Sequence, residues 1–328
     1  MRRREFVKLI AGASVVWPLV ARGQQPAVPI IAWLEIGGEY RDPDLRASRY
    51  GAFARGLSEL GVLEGRDVTI DHVPVSNLRD LPRAVKQQVQ RKVAVIYGIL
   101  LIAVAAKEAT HDIPIVFATT DDPLPTGVID SYARPGGNVT GVRMRAGDET
   151  SKLFELLHEL VPGVMTVGVL VYQPSTGADV DIASVTSAAR SLSVNIVVTH
   201  VSNENEFQAA FAGFERARVD AVFLVSSRYF DARRTQLVAL ASQGRLPLFS
   251  FSRDVAVSGG LASYGADIAD GSRQAGMYVG RVLKGEKPGD MPILQPTKFT
   301  FVINLKTARK LGITVPESLL VLADEVIE

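Results

Sequence analysis

Apolar positions in this chain gather into short continuous runs separated by amphipathic stretches. The first run is Ile30-Ile31-Ala32-Trp33-Leu34, led in by Pro26 and Pro29. A short run without alternation suits a strand buried on both faces of a parallel sheet. Tyr50, Phe53, Leu57 and Leu60 then recur at helical spacing, and Gly61 stands where a helix C-terminal cap belongs. The alternation continues with a strand at 68–70, a helix carrying Leu78, Leu81, Val85 and Val89, and a strand at 93–97. A helix at 100–110, a strand at 114–117 and a short strand at 138–142 complete the series.

From residue 149 the pattern starts again. Helices are predicted at 149–161, 178–191, 205–218 and 231–243, and strands at 166–172, 195–201, 221–225, 246–249 and 260–264. Two successive series of about five strands each have the size of two doubly wound α/β domains. The remainder, 265–328, is too short for a third. It reads as a helix at 267–284, a strand at 299–303, Asn304 as a helix N-cap and Gly312 as that helix's end. The predicted organisation is an N-terminal lobe over 28–145 plus about 266–285, and a C-terminal lobe over 146–264. A tail over 286–328 crosses back onto the lobes. Chain crossings are predicted near 142–148, 263–267 and 286–298. Two α/β lobes joined in this way leave a cleft facing the carboxyl ends of their strands, where such sheets bind ligands.

The opening stretch has a different character. Arg2, Arg3, Arg4 and Lys8 stand against one acid, Glu5, and no charge falls between Leu9 and Ala21. That apolar stretch is too short for a membrane span, which needs about 20 residues. Ala21-Arg22-Gly23 follows, with small residues at the two positions a signal peptidase reads. Residues 1–23 are therefore predicted to be an export signal that is removed, and Arg3-Arg4-Glu5-Phe6-Val7-Lys8 is similar to the twin-arginine pattern. The chain carries a net charge of +1, and residues 1–23 hold five basic side chains against one acid, so removing that +4 leaves −3. Such a balance gives no electrostatic footprint for nucleic acid. No later stretch is apolar for long enough to span a bilayer. The exported protein is expected in the periplasm as a monomer with no direct membrane span. There is no Cys, which excludes thiol nucleophiles, thiolate metal sites and a lipid-anchored Cys.

Catalytic motifs are missing. The four His residues, His72, His111, His158 and His200, lie far apart in sequence, and no nucleophile elbow, dinucleotide loop or phosphate loop occurs. No metal and no cofactor is expected. Pro135-Gly136-Gly137-Asn138 precedes a strand and reads as a turn. Asp121 and Asp122 directly follow a buried strand. Asp122 can be a cap or turn residue, an acceptor for a ligand's ammonium or amide, or an acid–base group. The helix start near 98–101 and the loop from Gln173 to Thr176 are candidates for holding an acidic or polar ligand end. Tyr97, Tyr172, Tyr229, Phe251 and Tyr264 fall at or just past strand ends, where their rings can line the cleft.

Several stretches carry a resemblance: the leader RRREFVKLI with WPLVARGQQP, the turn RPGGNVTGV, and the block from Gly259 to Ile313, with the ending ADEVIE. From Arg2 to Glu328 the chain resembles a periplasmic solute-binding protein of the ABC-transporter family that includes the tryptophan/tyrosine-type binding components. The resemblance implies a type I periplasmic-binding-protein fold, two Rossmann-like lobes with a hinge and an interlobe ligand cleft. It also implies a small-molecule ligand and a permease with its ATPase subunit as partners. Relatives commonly carry small hydroxyl residues after the first and third strands. Here those positions read Glu35-Ile36-Gly37-Gly38-Glu39 and Tyr97-Gly98-Ile99-Leu100-Leu101-Ile102. Asp122-Pro123 and Ser263-Tyr264-Gly265 keep the family pattern. The candidate ligand-binding set is Glu35, Gly98, Ile99, Thr120, Asp122, Gln173, Ser175, Thr176, Ser226, Tyr229, Phe251 and Tyr264. The expected function is the solute receptor of an ABC importer, capturing a small organic ligand that is amino-acid-like, aromatic or a carboxylate between the two lobes and delivering it to the permease. The alternatives are an exported sensing subunit for a membrane receptor and a periplasmic α/β enzyme.

Overall fold

The computed structural model describes residues 28–36, 43–145, 149–173, 178–295 and 298–328. The export signal expected over residues 1–23, and the candidates Ser175 and Thr176, lie outside the described residues.

The first apolar run forms β1 (Ile30–Ile36), whose Ile31, Ala32, Trp33 and Leu34 are buried. It pairs in parallel with β2 (Thr69–Val75) on one side and β3 (Val95–Gly98) on the other. β4 (Ile115–Thr119) and β5 (Val139–Arg143) extend the sheet, giving the order β2-β1-β3-β4-β5. The intervening helices are α1 (Pro43–Glu59), α2 (Leu81–Gln90) and α3 (Leu100–Ala109). Both faces of the sheet are covered, which is why β3 and β4 are buried at every position. The Pro135–Asn138 stretch is a turn, with Gly136 at φ 76° and Gly137 at φ 57°, angles that side-chain-bearing residues rarely adopt.

The second series builds α4 (Glu149–Leu160), β6 (Thr166–Tyr172), α5 (Ala178–Ser191), β7 (Asn195–Val201) and α6 (Phe207–Arg216). It continues with β8 (Ala221–Leu224), α7 (Arg228–Asp231), α8 (Arg234–Gln243), β9 (Leu248–Ser250), α9 (Arg253–Val257) and β10 (Ala262–Ala266). The single helix expected over 231–243 is thus two. Ser227 starts the first of them by accepting the Tyr229 N–H at 3.1 Å, four residues before the predicted start.

The chain then crosses back. α10 (Ile268–Leu283) leaves the second lobe and packs on α1, placing Ala275, Tyr278, Val279 and Val282 in one cluster with Trp33, Phe53 and Leu57. Residues 291–294 stay with the first lobe. The Thr140 hydroxyl donates to the Met291 carbonyl at 2.9 Å, and the Arg143 N–H donates to the Leu294 carbonyl at 2.8 Å. β11 (Phe299–Asn304) returns to the second sheet, antiparallel to β10. α11 (Leu305–Leu311), α12 (Glu317–Leu322) and β12 (Glu325–Ile327) follow, and β12 lies parallel to β11. The second sheet runs β12-β11-β10-β9-β8-β6-β7. The tail is therefore shared: its first part lies on the first lobe and its last part supplies two strands to the second. Buried Phe301, Val302 and Ile303 are what draw it there. Among the described residues, no helix is long and apolar enough to cross a membrane.

Candidate ligand-binding cleft

The carboxyl ends of β4 and β5 face those of β8, β9 and β10 across a cavity of about 540 Å³, part of it open to solvent. Thr120 follows β4, Met144 and Arg145 follow β5, and Ser226 follows β8. Ser250, Phe251 and Ser252 come from the end of β9, and Ala266 ends β10. Arg49 reaches in from α1, Glu149 from the first residue of α4, and Ile268 from the start of α10. Arg228 and Asp231 are three residues apart on α7, a spacing that sets both on one helix face. A second, more polar hollow of about 780 Å³ shares Arg49, Ser252, Ala266 and Ile268 with this cavity.

The cavity wall carries both signs of charge. Arg49 pairs with Asp231 at 3.3 Å, linking the first lobe to the second. The Arg228 guanidinium donates to the Ala118 carbonyl at 3.3 Å, linking them in the opposite sense. Arg145, on the first crossing, forms an ion pair with Asp181 on α5, and both side chains are mostly buried. Its guanidinium also lies 4.8 Å from the centre of the Phe251 ring, a cation–π contact. Burial pushes the Asp181 carboxyl above its ordinary pKa, and the charge of Arg145 opposes that shift. Glu149 is 2% exposed. In surroundings this dry, each charge acts more strongly on a ligand than it would at the surface. Among the described residues, no three His, Asp or Glu side chains come together as a metal site.

Of the candidates from sequence, Thr120, Ser226 and Phe251 line the cavity. The others have different surroundings. Glu35 meets His72 Nδ1 at 3.1 Å, beside the ring cluster of Trp33, Tyr50, Phe53 and Tyr97. Gly98 is a close-approach position, since a Cβ there would come within 2.6 Å of the Ile102 side chain. Ile99 is the extended residue before α3. Gln173 ties the end of β6 to β7 through its N–H, 3.0 Å from the Val201 carbonyl. Tyr229 stacks on Tyr172 with centroids 4.2 Å apart, takes the Arg233 guanidinium on its ring at 3.5 Å, and donates its hydroxyl to Glu204. Tyr264 stacks on Phe299 at 5.8 Å and packs on the second lobe's core.

Asp122 sits within a turn. Its Oδ1 accepts the Leu124 N–H at 3.0 Å and the Tyr132 hydroxyl at 2.6 Å, so the cap-or-turn alternative describes its position. Pro123, directly after it, leads into the short turn Leu124–Thr126, and Asp122 is not among the residues that line this cavity. Sequence reasoning missed Arg49, Arg145, Glu149, Arg228 and Asp231. Arg228 and Asp231 carried a readable signal, because Ser226-Ser227 after a strand is a helix-cap pattern. Arg49 carried none, since it sits on an ordinary amphipathic helix.

This geometry, two doubly wound lobes around a mixed-charge cleft, defines a type I periplasmic-binding fold. A family model described as ABC transporter substrate binding protein matches residues 41–327, and the chain belongs to that family. A tyrosine-binding protein of Clostridioides difficile (strain R20291) is 25% identical over 271 residues, covering 82% of this chain and 77% of that protein. An ABC domain from Streptococcus pneumonia, solved in complex with L-Trp, is 26% identical, with a TM-score of 0.82 over 91% of this chain and 99% of that one. A ligand-free, open substrate-binding protein with adhesive properties from Clostridium difficile has 21% identity and a TM-score of 0.68. That match covers 92% of this chain and 99% of the other, and it shows the fold alone.

Proposed function

We propose that this chain is the exported solute receptor of an ABC importer, and that its ligand is an amino-acid-like molecule with an aromatic or apolar body. It acts as a monomer in the periplasm and hands its ligand to a membrane permease driven by an ATPase subunit. The cleft is a capture site, with no chemical step assigned to it. The observation that carries this reading is the cavity wall. Arginines and carboxylates lie beside Phe251, Met144 and Ile268, so a ligand with a charged head and an apolar body finds a partner for each part. The L-Trp and tyrosine named for two relatives belong to the same ligand class. The leader, with Arg3-Arg4 ahead of Phe6 and Ala21-Arg22-Gly23 behind the apolar stretch, supports twin-arginine export and removal of residues 1–23.

A thermal-shift screen of the purified protein tests the ligand class. Aromatic and aliphatic amino acids, aromatic carboxylates, amines and sugars are compared at equal concentration. A true ligand at a hundred times its Kd should raise the melting temperature by about 4 °C. A shift with sugars and none with any amino acid or carboxylate would sink the proposal.

A further inference from the structure

We infer that Arg145 is the residue that makes the receptor select ligands carrying a carboxylate. The inference rests on the amino-acid-like reading of the cleft and names the group that reads the ligand's anionic end.

Among the described residues, Arg49, Arg145 and Arg228 line the cavity. They differ in what stands beside them. Arg49 pairs with Asp231 at 3.3 Å, and Asp231 lines the same cavity, so a carboxylate brought to Arg49 also meets an anion. Arg228 is three residues from Asp231 on α7, on the same helix face. Arg145 forms its ion pair with Asp181 on α5, and Asp181 is not one of the residues that line the cavity. The cation of this pair borders the cavity, and the anion lies outside its wall.

The pairing with Asp181 orients Arg145. A guanidinium carries five N–H donors in a fixed planar fork, and the bond to Asp181 Oδ1 comes from Nη2. The Phe251 ring, with its centre 4.8 Å from the guanidinium carbon, holds another side of the group. The two side chains of the ion pair are 12% and 8% exposed. A side chain fixed in this way before the ligand arrives loses little conformational freedom on binding. Its charge also acts more strongly than it would in water. Phe251 borders the cavity as well, so neighbouring groups receive the ligand's carboxylate and its apolar body.

The chemistry predicts discrimination between a ligand and its amide twin. L-tryptophan should bind at least about 10-fold tighter than L-tryptophanamide. L-tyrosine against L-tyrosinamide, and L-leucine against L-leucinamide, should differ by a similar factor. The members of each pair share side chain and amine and differ in the carboxylate, so the ratio isolates that group.

Calorimetric affinities for these pairs are to be measured on the wild-type protein, on Arg145→Gln, on Arg145→Lys and on the double variant Arg145→Gln with Asp181→Asn. The double variant is included because Arg145→Gln alone leaves the Asp181 carboxylate buried beside a neutral group, which can prevent folding. Arg145→Gln, or the double variant where the single one does not fold, should bring the ratio close to one by weakening the carboxylate-bearing member, with the amide little changed. Arg145→Lys keeps the charge, loses the fork and should keep only part of the preference. If the wild type binds these amino acids no tighter than their amides, or if the neutral variant keeps the full wild-type ratio, the inference is overturned and the ligand class stands. Where neither neutral variant folds, an unreduced ratio in Arg145→Lys overturns it. If the wild type binds no member of any pair, both the ligand class and the inference fall.

Discussion

Arg49 on α1 and Asp231 on α7 form an ion pair at 3.3 Å that closes one side of the cleft and joins the two lobes. Both side chains are largely buried, at 9% and 17% exposure, so the pair is neither a screened surface contact nor a fully dry one. It lies between the two regimes in which loss of a partner costs about 1 kcal/mol and about 3–5 kcal/mol. The Arg228 contact with the Ala118 carbonyl works in the same direction from the other lobe. The relative placement of the two lobes is therefore held partly by the protein's own arginines.

Asp231→Asn should shift the ligand-free protein toward an open form. Small-angle scattering should give a larger radius of gyration for the variant than for the wild type at low salt. Raising the salt should enlarge the wild type and narrow the difference, because screening weakens the pair. Stability in urea should fall by about 2 kcal/mol. Superimposable scattering curves from the two proteins would show that the pair has no part in closure.

A second relationship, between Asp122 and Tyr132, makes a prediction about alkaline pH. The Tyr132 hydroxyl donates to Asp122 at 2.6 Å and accepts from Arg143 Nη1 at 3.1 Å. Burial first, and the bond to Asp122 second, push the Tyr132 phenol up to about 12. In the unfolded chain a phenol titrates near 10. The folded value is the higher one, so the folded state holds the proton more tightly. Its contribution to stability is complete below about pH 10 and is lost as the pH rises through 10 to about 12. Asp122→Ala should lower the titration midpoint of Tyr132, read from phenolate absorbance, and cost about 1 kcal/mol at pH 7. Affinity for a confirmed ligand should not change. A variant with wild-type stability and weakened binding would return Asp122 to the ligand site.

How far the sequence speaks can be judged from particular positions. The run at Ile30–Leu34, the cap at Asn304 and the Gly136-Gly137 turn are local signals, because each is set by neighbours within a few residues. The strand series was legible for the same reason. Thr120, Ser226 and Phe251 line the cavity, since a residue just past a buried strand in a doubly wound sheet has few other places to go. The charged wall was not legible. Arg49 meets Asp231 across 182 positions, and Arg145 meets Asp181 across 36, pairings that exist only once the lobes face each other. The surroundings of the strand-end rings were hidden for a related reason. Tyr229 lies past β8, but Tyr172 and Arg233 on its two faces and Glu204 at its hydroxyl absorb it into a packed stack. Strand-end position sets where a side chain starts, and its neighbours decide where it points.

The contact between α1 and α10 depends on glycine, and this can be tested with two substitutions of the same type. A Cβ on Gly276 would sit 2.0 Å from the Phe53 carbonyl oxygen, and one on Gly56 would sit 1.9 Å from the Arg273 carbonyl oxygen. Both obstacles are helix backbone, which has no rotamer to escape into. Gly51, also on α1, has nothing within 4 Å of its Cβ position. Replacing a helical glycine by alanine normally gains about 0.5–1 kcal/mol. Gly51→Ala should show that gain. In Gly276→Ala the same gain is opposed by overpacking that costs about 1–3 kcal/mol in an ordinary core and more against rigid backbone. The net effect should be a loss of about 1–2 kcal/mol, read as a lower urea midpoint. The consequence reaches the cleft, because α1 carries Arg49 and α10 begins at Ile268, both in the cavity wall. Pushing the helices apart should therefore also weaken binding of a confirmed ligand in Gly276→Ala and leave it intact in Gly51→Ala. Equal stability and equal affinity in the two variants would mean that the helices do not approach as closely as 2.0 Å implies.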